Sequence, residues 1–328
     1  SERTGIRERR ISHVSTTDLG VVAAQHALAA AGLEPNAIDM IVFASASPDV
    51  LVPNTASRLQ AAIGNGHAAA FDLNSGCTGF IYGLKIAADH VNCNPDSVAL
   101  VVGAERLTWY LDWTQRDSAV LFGDGAGAAV VQHSDDNCGV LGSRLGCEAA
   151  AGEALMIPDF GTVMDRFGDD PTYFTLQFDG REIFRHAVRG MAEACARVLD
   201  ETGLTAEDVD LVIPHQANVR IIDALADKLG VPREKVVVNI EHYGNTSSAT
   251  IPIALTDALA QGRVKPGAII LMPAFGAGLT WGATVMRWGE RTTPVGASDA
   301  TLAPCESTGL QLIEKAVAFF RSHNQSAV

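Results

Sequence analysis

The sequence predicts an α/β fold made of two stacked copies of one strand–helix unit. Helical and strand periodicities alternate along the chain, and the elements of the first half return in the same order in the second. Ala31-Gly32-Leu33 followed by Ile38-Asp39-Met40-Ile41-Val42 comes back as Thr202-Gly203-Leu204 followed by Val209-Asp210-Leu211-Val212-Ile213, at a constant offset of 171 positions. One such likeness is common by chance. Several in order indicate an internal duplication.

Thr16-Thr17-Asp18 reads as a helix N-cap, and Leu19, Val22, Ala23, Ala27 and Ala30 keep helical spacing until Gly32 ends it. Ile38–Phe43 is a short apolar run suited to a buried strand. A helix fits Thr55–Ile63, then an apolar run at Ala68–Leu73, a glycine-bracketed turn at Asn74–Gly79, and a helix to His90. Val98–Gly103 and Ala126–Val131 read as strands.

In the second half a helix ends at Gly230 as one does at Gly64. Val238-Asn239-Ile240-Glu241 is the expected counterpart of the strand and turn at Phe71-Asp72-Leu73-Asn74. Ala268–Pro273 answers Val98–Gly103, and Gly282–Met286 answers Gly127–Val131. The halves are therefore placed at 1–136 and 137–289, with a site between them drawing on both. Ser143–Phe178, rich in Gly, Asp and Met, reads as a long loop or cap. The remainder, 290–328, has linker composition and then an amphipathic helix with Leu310, Ile313, Val317 and Phe320 on one stripe. That helix is expected to dock on its own domain or on a second copy.

Composition narrows the function. With 47% apolar and 19% charged residues the chain has the makings of a large core. A formal charge of −14 argues against general nucleic-acid or anionic-membrane binding. The apolar stretches fall short of the ~18 residues a membrane span needs. Ser1–Arg10 is polar and basic, unlike a secretory signal. Six cysteines form no CxxC pair, so mostly buried thiols in a reducing cytoplasm are expected. Metalloprotease, P-loop and EF-hand patterns are missing, and no metal or nucleotide hydrolysis is predicted. Gly123-Asp124-Gly125-Ala126-Gly127 precedes a segment too short for a dinucleotide-binding helix and reads as tight packing at a strand start.

Cys77 lies just after a buried strand and at a helix start, between glycines that permit a tight turn. A helix N-terminus lowers a thiol's pKa and offers N–H groups to an oxyanion. Position alone leaves Cys77 open between a nucleophile and a small buried hydrophobe. His215 lies where a buried strand ends, at the edge where α/β sheets bind ligands. Asn245 lies in the second-half counterpart of the Cys77 turn. Alone, His215 is a structural histidine and Asn245 a helix cap; in mirrored positions with Cys77, the three read as a site.

The Ser75-Gly76-Cys77-Thr78-Gly79-Phe80 turn, His215-Gln216-Ala217-Asn218, Gly244-Asn245-Thr246-Ser247 and Phe275-Gly276-Ala277-Gly278-Leu279-Thr280-Trp281-Gly282 resemble the β-ketoacyl-ACP synthase III family of condensing enzymes. Arg3-Thr4-Gly5-Ile6 and Phe122-Gly123-Asp124-Gly125 also match, and the likeness runs over about residues 1–288. It implies a thiolase fold with α-β-α-β-α layers, a homodimer, and acyl-CoA and acyl carrier protein (ACP) as partners, with no further cofactor. Cys77 would carry the acyl group, His215 and Asn245 would hold the enolate of malonyl-ACP, and the N–H groups of Cys77 and Ala277 would form the oxyanion hole. Ala277 stands where the family commonly has glycine. Arg3, Arg116 and Asn218 match coenzyme A contacts, and Val52 and Phe184 match acyl-tunnel positions. Val52 replaces a common Phe, which would admit longer or branched acyl groups. Arg181, in place of a common Asn, begins a four-residue recurrence with Arg185 and Arg189; these last two with Arg220 and Lys228 form either an ACP-binding face or a solvated one. The family's first strand and a Trp precede Arg3-Thr4-Gly5-Ile6, so upstream residues omitted from this sequence are expected. A condensing enzyme of specialised metabolism is the nearest alternative; a papain-like hydrolase and a silent scaffold are the more distant ones.

Overall fold

Two four-stranded sheets face each other across a shared layer of helices in the computed structural model, which describes residues 4–158, 161, 162, 167 and 175–326. In chain order the first half supplies α1 (Thr16–Ala31), β1 (Met40–Ala44), α2 (Thr55–Ala62), β2 (Ala69–Leu73), α3 (Gly79–Cys93), β3 (Val98–Arg106), α4 (Arg116–Ala119) and β4 (Asp124–Gln132). Then come β5 (Gly139–Cys147), β6 (Leu155–Met156), β7 (Gln177–Phe178), α5 (Gly180–Glu201), β8 (Leu211–Val212), α6 (Val219–Leu229), α7 (Ile240–Tyr243), α8 (Thr250–Ala260), β9 (Ile269–Gly276), β10 (Thr280–Arg287) and α9 (Gly309–Ser326). The sheets run β2-β1-β3-β4 and β5-β10-β9-β8.

The strands' two-residue period separates the layers. Met40, Val42, Ala99 and Val101 turn inward onto Phe80, Ile81 and Leu84 of α3 and Ile251 and Ala254 of α8, where Ile270 and Met272 of β9 meet them from the other sheet. Ile41, Phe43, Leu100 and Val102 turn outward onto Leu28 of α1 and Leu59 of α2. In the second sheet Val212, Ile269, Leu271 and Val285 turn outward onto Val198 of α5 and Ile222 of α6. The order is α-β-α-β-α. Each fully buried Val, Leu, Ile or Phe contributes about 1.5–3 kcal/mol, so the strands' near-continuous apolar character follows from burial on both faces.

The duplication extends to individual hydrogen bonds. Asp39 Oδ2 accepts from Val98 N at 2.9 Å, and Asp210 Oδ2 accepts from Ile269 N at 2.8 Å, the same bond moved by 171 residues. Gly32 and Gly203 both follow their helices in the left-handed region, at φ 72° and 68°.

Several elements differ from the sequence reading. Ser15, not the Thr16–Asp18 stretch, is the N-cap of α1, closing a capping box with Asp18. The strand expected at Val238–Glu241 does not form. Asn239 instead donates its N–H to Gln216 Oε1 at 3.1 Å and its Nδ2 to Asp257 at 2.8 Å, and Ile240 opens α7. A side chain, that of Gln216, meets the backbone N–H that a strand neighbour would have met. Ser143–Cys147, read as loop, belongs to β5: a Cβ at Gly146 would stand 2.2 Å from the Trp281 ring, so these glycines mark close packing rather than irregularity. The segment after Trp288 is not a free linker. Val295 and Gly296 donate to the Ala30 and Ala29 carbonyls at 3.0 Å, and Arg291 to Ala30 at 2.6 Å, capping the C-terminal end of α1. In α9, Phe320 is buried, but Leu310 lies outside the inward stripe, 79% exposed. Of the six cysteines, expected to be mostly buried, only Cys77 and Cys195 are.

Candidate active site

Two short turns, one from each half, meet at the middle layer. Residues 76–78 lead into α3 and residues 247–249 lead into α8. Gly76 has φ 57° and its counterpart Ser247, 171 positions on, has φ 52°. A Cβ on Gly79 would stand 3.4 Å from Ser248 Cβ, and one on Gly103 would stand 2.6 Å from the Ser248 carbonyl, so small residues are needed where the turns pack.

Cys77 is 7% exposed at the centre of the first turn. The 276–280 loop closes on it. A Cβ on Gly276 would lie 2.5 Å from Cys77 N, and one on Gly76 would lie 2.8 Å from Ala277 N. Thr280 Oγ1 spans the two segments, 2.9 Å from the Ser75 carbonyl and from Thr78 Oγ1 and 3.0 Å from the Ala277 carbonyl. Phe275 and Leu279 are buried on either side and anchor the loop.

The second turn carries or holds the other two predicted residues. Asn245 Oδ1 accepts from Ser247 N at 2.8 Å, as Asn74 Oδ1 accepts from Gly76 N at 3.3 Å in the first half. This fixes the carboxamide: the oxygen is taken, and Nδ2 is the other end. The Asn245 backbone is clamped by the first half, donating to the Leu121 carbonyl at 2.9 Å and accepting from Gly123 N at 3.0 Å. His215 extends the line of β8, its N–H donating to the Pro273 carbonyl at 2.8 Å, and its Nδ1 lies 2.7 Å from Thr250 Oγ1. Ser247 Oγ donates to Glu105 Oε1 at 2.9 Å, and its proximity lowers the Cys77 pKa. His215 and Asn245 are thus both tied to one turn, 245–250.

The electrostatics correct one expectation. Burial pushes the Cys77 thiol up to about 12, against the lowering effect of Ser247 and of its own N–H; the helix N-terminus does not make it a resting thiolate. Burial also holds His215 down, to about 3. The resting pair is a neutral thiol and a neutral imidazole.

Sequence reasoning missed Ser247, Thr250 and Glu105. The 171-residue offset, carried into the motifs, would have paired Gly76 with Ser247 and Gly79 with Thr250. Glu105 is fully buried and accepts from Ala46 N, Ser47 Oγ at 2.6 Å and Ser247 Oγ at 2.9 Å, tying the 45–47 loop to the second turn. Burial raises its pKa.

The peripheral residues spread outward. Arg3 lies outside the described residues. Arg116 is exposed at the start of α4. Asn218 caps α6, its Oδ1 accepting from Arg220 N at 3.0 Å. Arg185 pairs with Glu182 at 2.5 Å and Arg189 with Glu148 at 2.6 Å, while Arg181, Arg220 and Lys228 are exposed. Val52 is 82% and Phe184 39% exposed. Among the described residues, no cluster of His, Cys, Asp or Glu is arranged to hold a metal, and no helix is long and apolar enough to cross a membrane.

The family model for 3-oxoacyl-[acyl-carrier-protein (ACP)] synthase III matches residues 71–149, and the model for its C-terminal part matches 199–288. A β-ketoacyl-[acyl-carrier-protein] synthase III 2 of Vibrio cholerae is 54% identical over 321 residues, covering 98% of this chain and 89% of that protein. This chain belongs to the β-ketoacyl-ACP synthase III family. Its members are condensing acyltransferases. The solved 3-oxoacyl-[acyl-carrier-protein] synthase III of Aquifex aeolicus is 46% identical with a TM-score of 0.81, over 88% of this chain and 89% of that one. The priming β-ketosynthase of the R1128 polyketide pathway is 38% identical with a TM-score of 0.82, over 88% and 87%.

Proposed function

We propose that this enzyme starts fatty-acid chains by condensing an acyl-CoA primer with malonyl-ACP through an acyl-Cys77 thioester. The observation that carries the reading is the closure of the Ala277 loop on Cys77, opposite a turn that holds both His215 and Asn245. Residues 1–136 supply the nucleophile and 137–289 the other two groups. Cys77 Sγ attacks the acyl-CoA carbonyl, whose oxyanion is held by the N–H groups of Cys77 and Ala277; the C–S bond to coenzyme A breaks and the Cys77 proton ends on the departing sulfur. Malonyl-ACP then loses CO2, and its enolate, held by His215 and Asn245, attacks the thioester and releases Cys77.

Arg3, Arg116 and Asn218 would receive coenzyme A, with Asn218 Nδ2 as the donor end because its oxygen caps α6. Arg220 and Lys228 are the stronger candidates for an acidic carrier protein, since Arg185 and Arg189 are already paired. Val52, reaching from one protomer of a homodimer, and Phe184 would shape the acyl tunnel. The reading places the enzyme in the cytoplasm, with no bound cofactor.

Intact-protein mass after exposure to a panel of acyl-CoAs tests this, for the wild type and Cys77→Ala. The expected result is an adduct that the variant lacks and that malonyl-ACP discharges as a β-ketoacyl thioester. No adduct from any acyl-CoA would overturn it. The likeness to a polyketide priming synthase makes a different acceptor the second reading, which an adduct that malonyl-ACP leaves in place would favour.

A further inference from the structure

His215 can serve the enolate only if Nε2 carries a proton. The ring is 3% exposed, with burial keeping it neutral, so it holds one N–H and its neighbours decide on which nitrogen. The enolate oxygen needs donors. Asn245 offers Nδ2, its Oδ1 being occupied; the second donor has to be Nε2–H, which requires Nδ1 to accept.

We propose that Thr250 is the positioning residue that sets this tautomer, its hydroxyl donating to His215 Nδ1. Thr250 Oγ1 stands 2.7 Å from Nδ1 and 2.9 Å from the Ser247 carbonyl, and its single proton serves one of them. The carbonyl already accepts the N–H of Thr250, whereas Nδ1 has the closer contact and the more basic lone pair. The duplication supplies an independent argument. Counted by the 171-residue offset, Thr250 corresponds to Gly79 and His215 to Ala44. In the first half these two positions touch without chemistry: a Cβ on Gly79 would stand 2.9 Å from Ala44 Cβ. In the second half the same contact carries a hydroxyl and an imidazole. The pair differs from its counterpart in polar groups rather than in place, and both members are buried, Thr250 at 2%.

In the condensation step the bond from the malonyl methylene carbon to the carboxylate breaks, CO2 leaves, and the electron pair becomes the enolate, whose oxygen accepts from Nε2–H and Asn245 Nδ2–H. The enolate carbon bonds to the acyl carbon, the C–S bond to Cys77 breaks, and Sγ regains a proton from water. His215 gives up no proton, so Thr250 needs only to hold the ring's tautomer throughout. Acyl transfer from acyl-CoA uses the N–H groups of Cys77 and Ala277 and is indifferent to that tautomer. The inference rests on the proposed condensing reaction.

The test joins nitrogen NMR of 15N-histidine-labelled enzyme, with His215 assigned by difference from His215→Gln, to rates for Thr250→Val and Thr250→Ser. The expected wild-type signals are a protonated Nε2 and a bare Nδ1. Thr250→Val should form acyl-Cys77 within about threefold of the wild-type rate yet condense about 100-fold more slowly, the usual loss for one such donor. Thr250→Ser should restore condensation to within about threefold. A wild-type proton on Nδ1, or a Thr250→Val enzyme that condenses at the wild-type rate, would overturn the proposal. Should Thr250→Val fail to fold, the wild-type spectrum decides alone. A wild type that forms no acyl-Cys77 at all would instead sink the condensing reaction, and the spectrum would still report the tautomer.

Discussion

Gly76 and Ser247 hold the same place in the two halves, 171 residues apart, with φ 57° and 52°. Glycine adopts this conformation freely; serine does so at a cost of about 1–2 kcal/mol. Ser247 holds the conformation in a turn packed against the opposite half, with its hydroxyl 2.9 Å from Glu105 Oε1. Ser247→Gly should therefore unfold in urea at a higher midpoint than Ser247→Ala, by roughly 1 kcal/mol of stability, since both lose the Glu105 bond and only Ala keeps the strain. The opposite ranking would show that the turn is not strained at this position.

The loop that closes on Cys77 leaves no space at Gly276 and leaves a choice at Ala277. A methyl at 276 would stand 2.5 Å from Cys77 N and 3.1 Å from Thr78 N, both backbone atoms that cannot swing aside. Gly276→Ala should slow acylation of Cys77 about 100-fold by displacing the oxyanion donors. Ala277→Gly should stay within about threefold, because the N–H and not the side chain acts there. Acylation kinetics by stopped-flow mass analysis separate the two; a large loss in Ala277→Gly would mean that the methyl shapes the loop.

Carrier-protein recognition should discriminate among the arginines. Arg189 already shares Glu148 with His186, whereas Arg220 is exposed at the start of α6. Arg220→Glu should raise KM for malonyl-ACP about tenfold while leaving malonyl-CoA turnover unchanged, and Arg189→Ala should do less. Equal effects on both acceptors would assign Arg220 to the active site rather than to a docking face.

Much of the fold was legible because buried strands and capped helices leave periodic marks. Gly32 and Gly230 end their helices where the sequence placed them, and the Asn74–Gly79 turn is where its glycines put it. Cys77, His215 and Asn245 stood out through mirrored position rather than through residue type. What escaped was set by tertiary neighbours. Glycine in β5 reads as loop until Trp281 is seen against Gly146, and Val238–Glu241 reads as strand until Gln216 and Asp257 are seen taking the polar groups of Asn239. The high thiol pKa escaped for the same reason, since depth of burial is not local.

His215 makes the enzyme sensitive to acid. Its folded pKa is lowered to about 3, so the native ring stays neutral while an unfolded ring gains a proton below about pH 6.5. The unfolded state then binds more protons, and stability falls as pH drops from about 6.5 toward 3, by up to about 1.4 kcal/mol per pH unit from this group. Carboxylates titrate over part of the same range, so the wild type should be compared with His215→Gln in urea at pH 6, 5 and 4. The variant should lose stability less steeply; equal slopes would mean that the ring is not held neutral.

The Cys77 thiol, pushed up to about 12 by burial, should be a slow nucleophile toward reagents that need a thiolate. With a pKa that high the thiolate fraction rises tenfold per pH unit through the accessible range. Inactivation by iodoacetamide should therefore increase with a slope near one in log rate from about pH 7 to 10, without levelling off. A thiolate–imidazolium pair would give a different curve, already flat above about pH 6. Acylation by acyl-CoA should not follow the iodoacetamide profile, because the oxyanion donors act on the substrate carbonyl and the thiol surrenders its proton only during attack. If the two profiles coincide, the thiolate rather than the thiol is the acylating species.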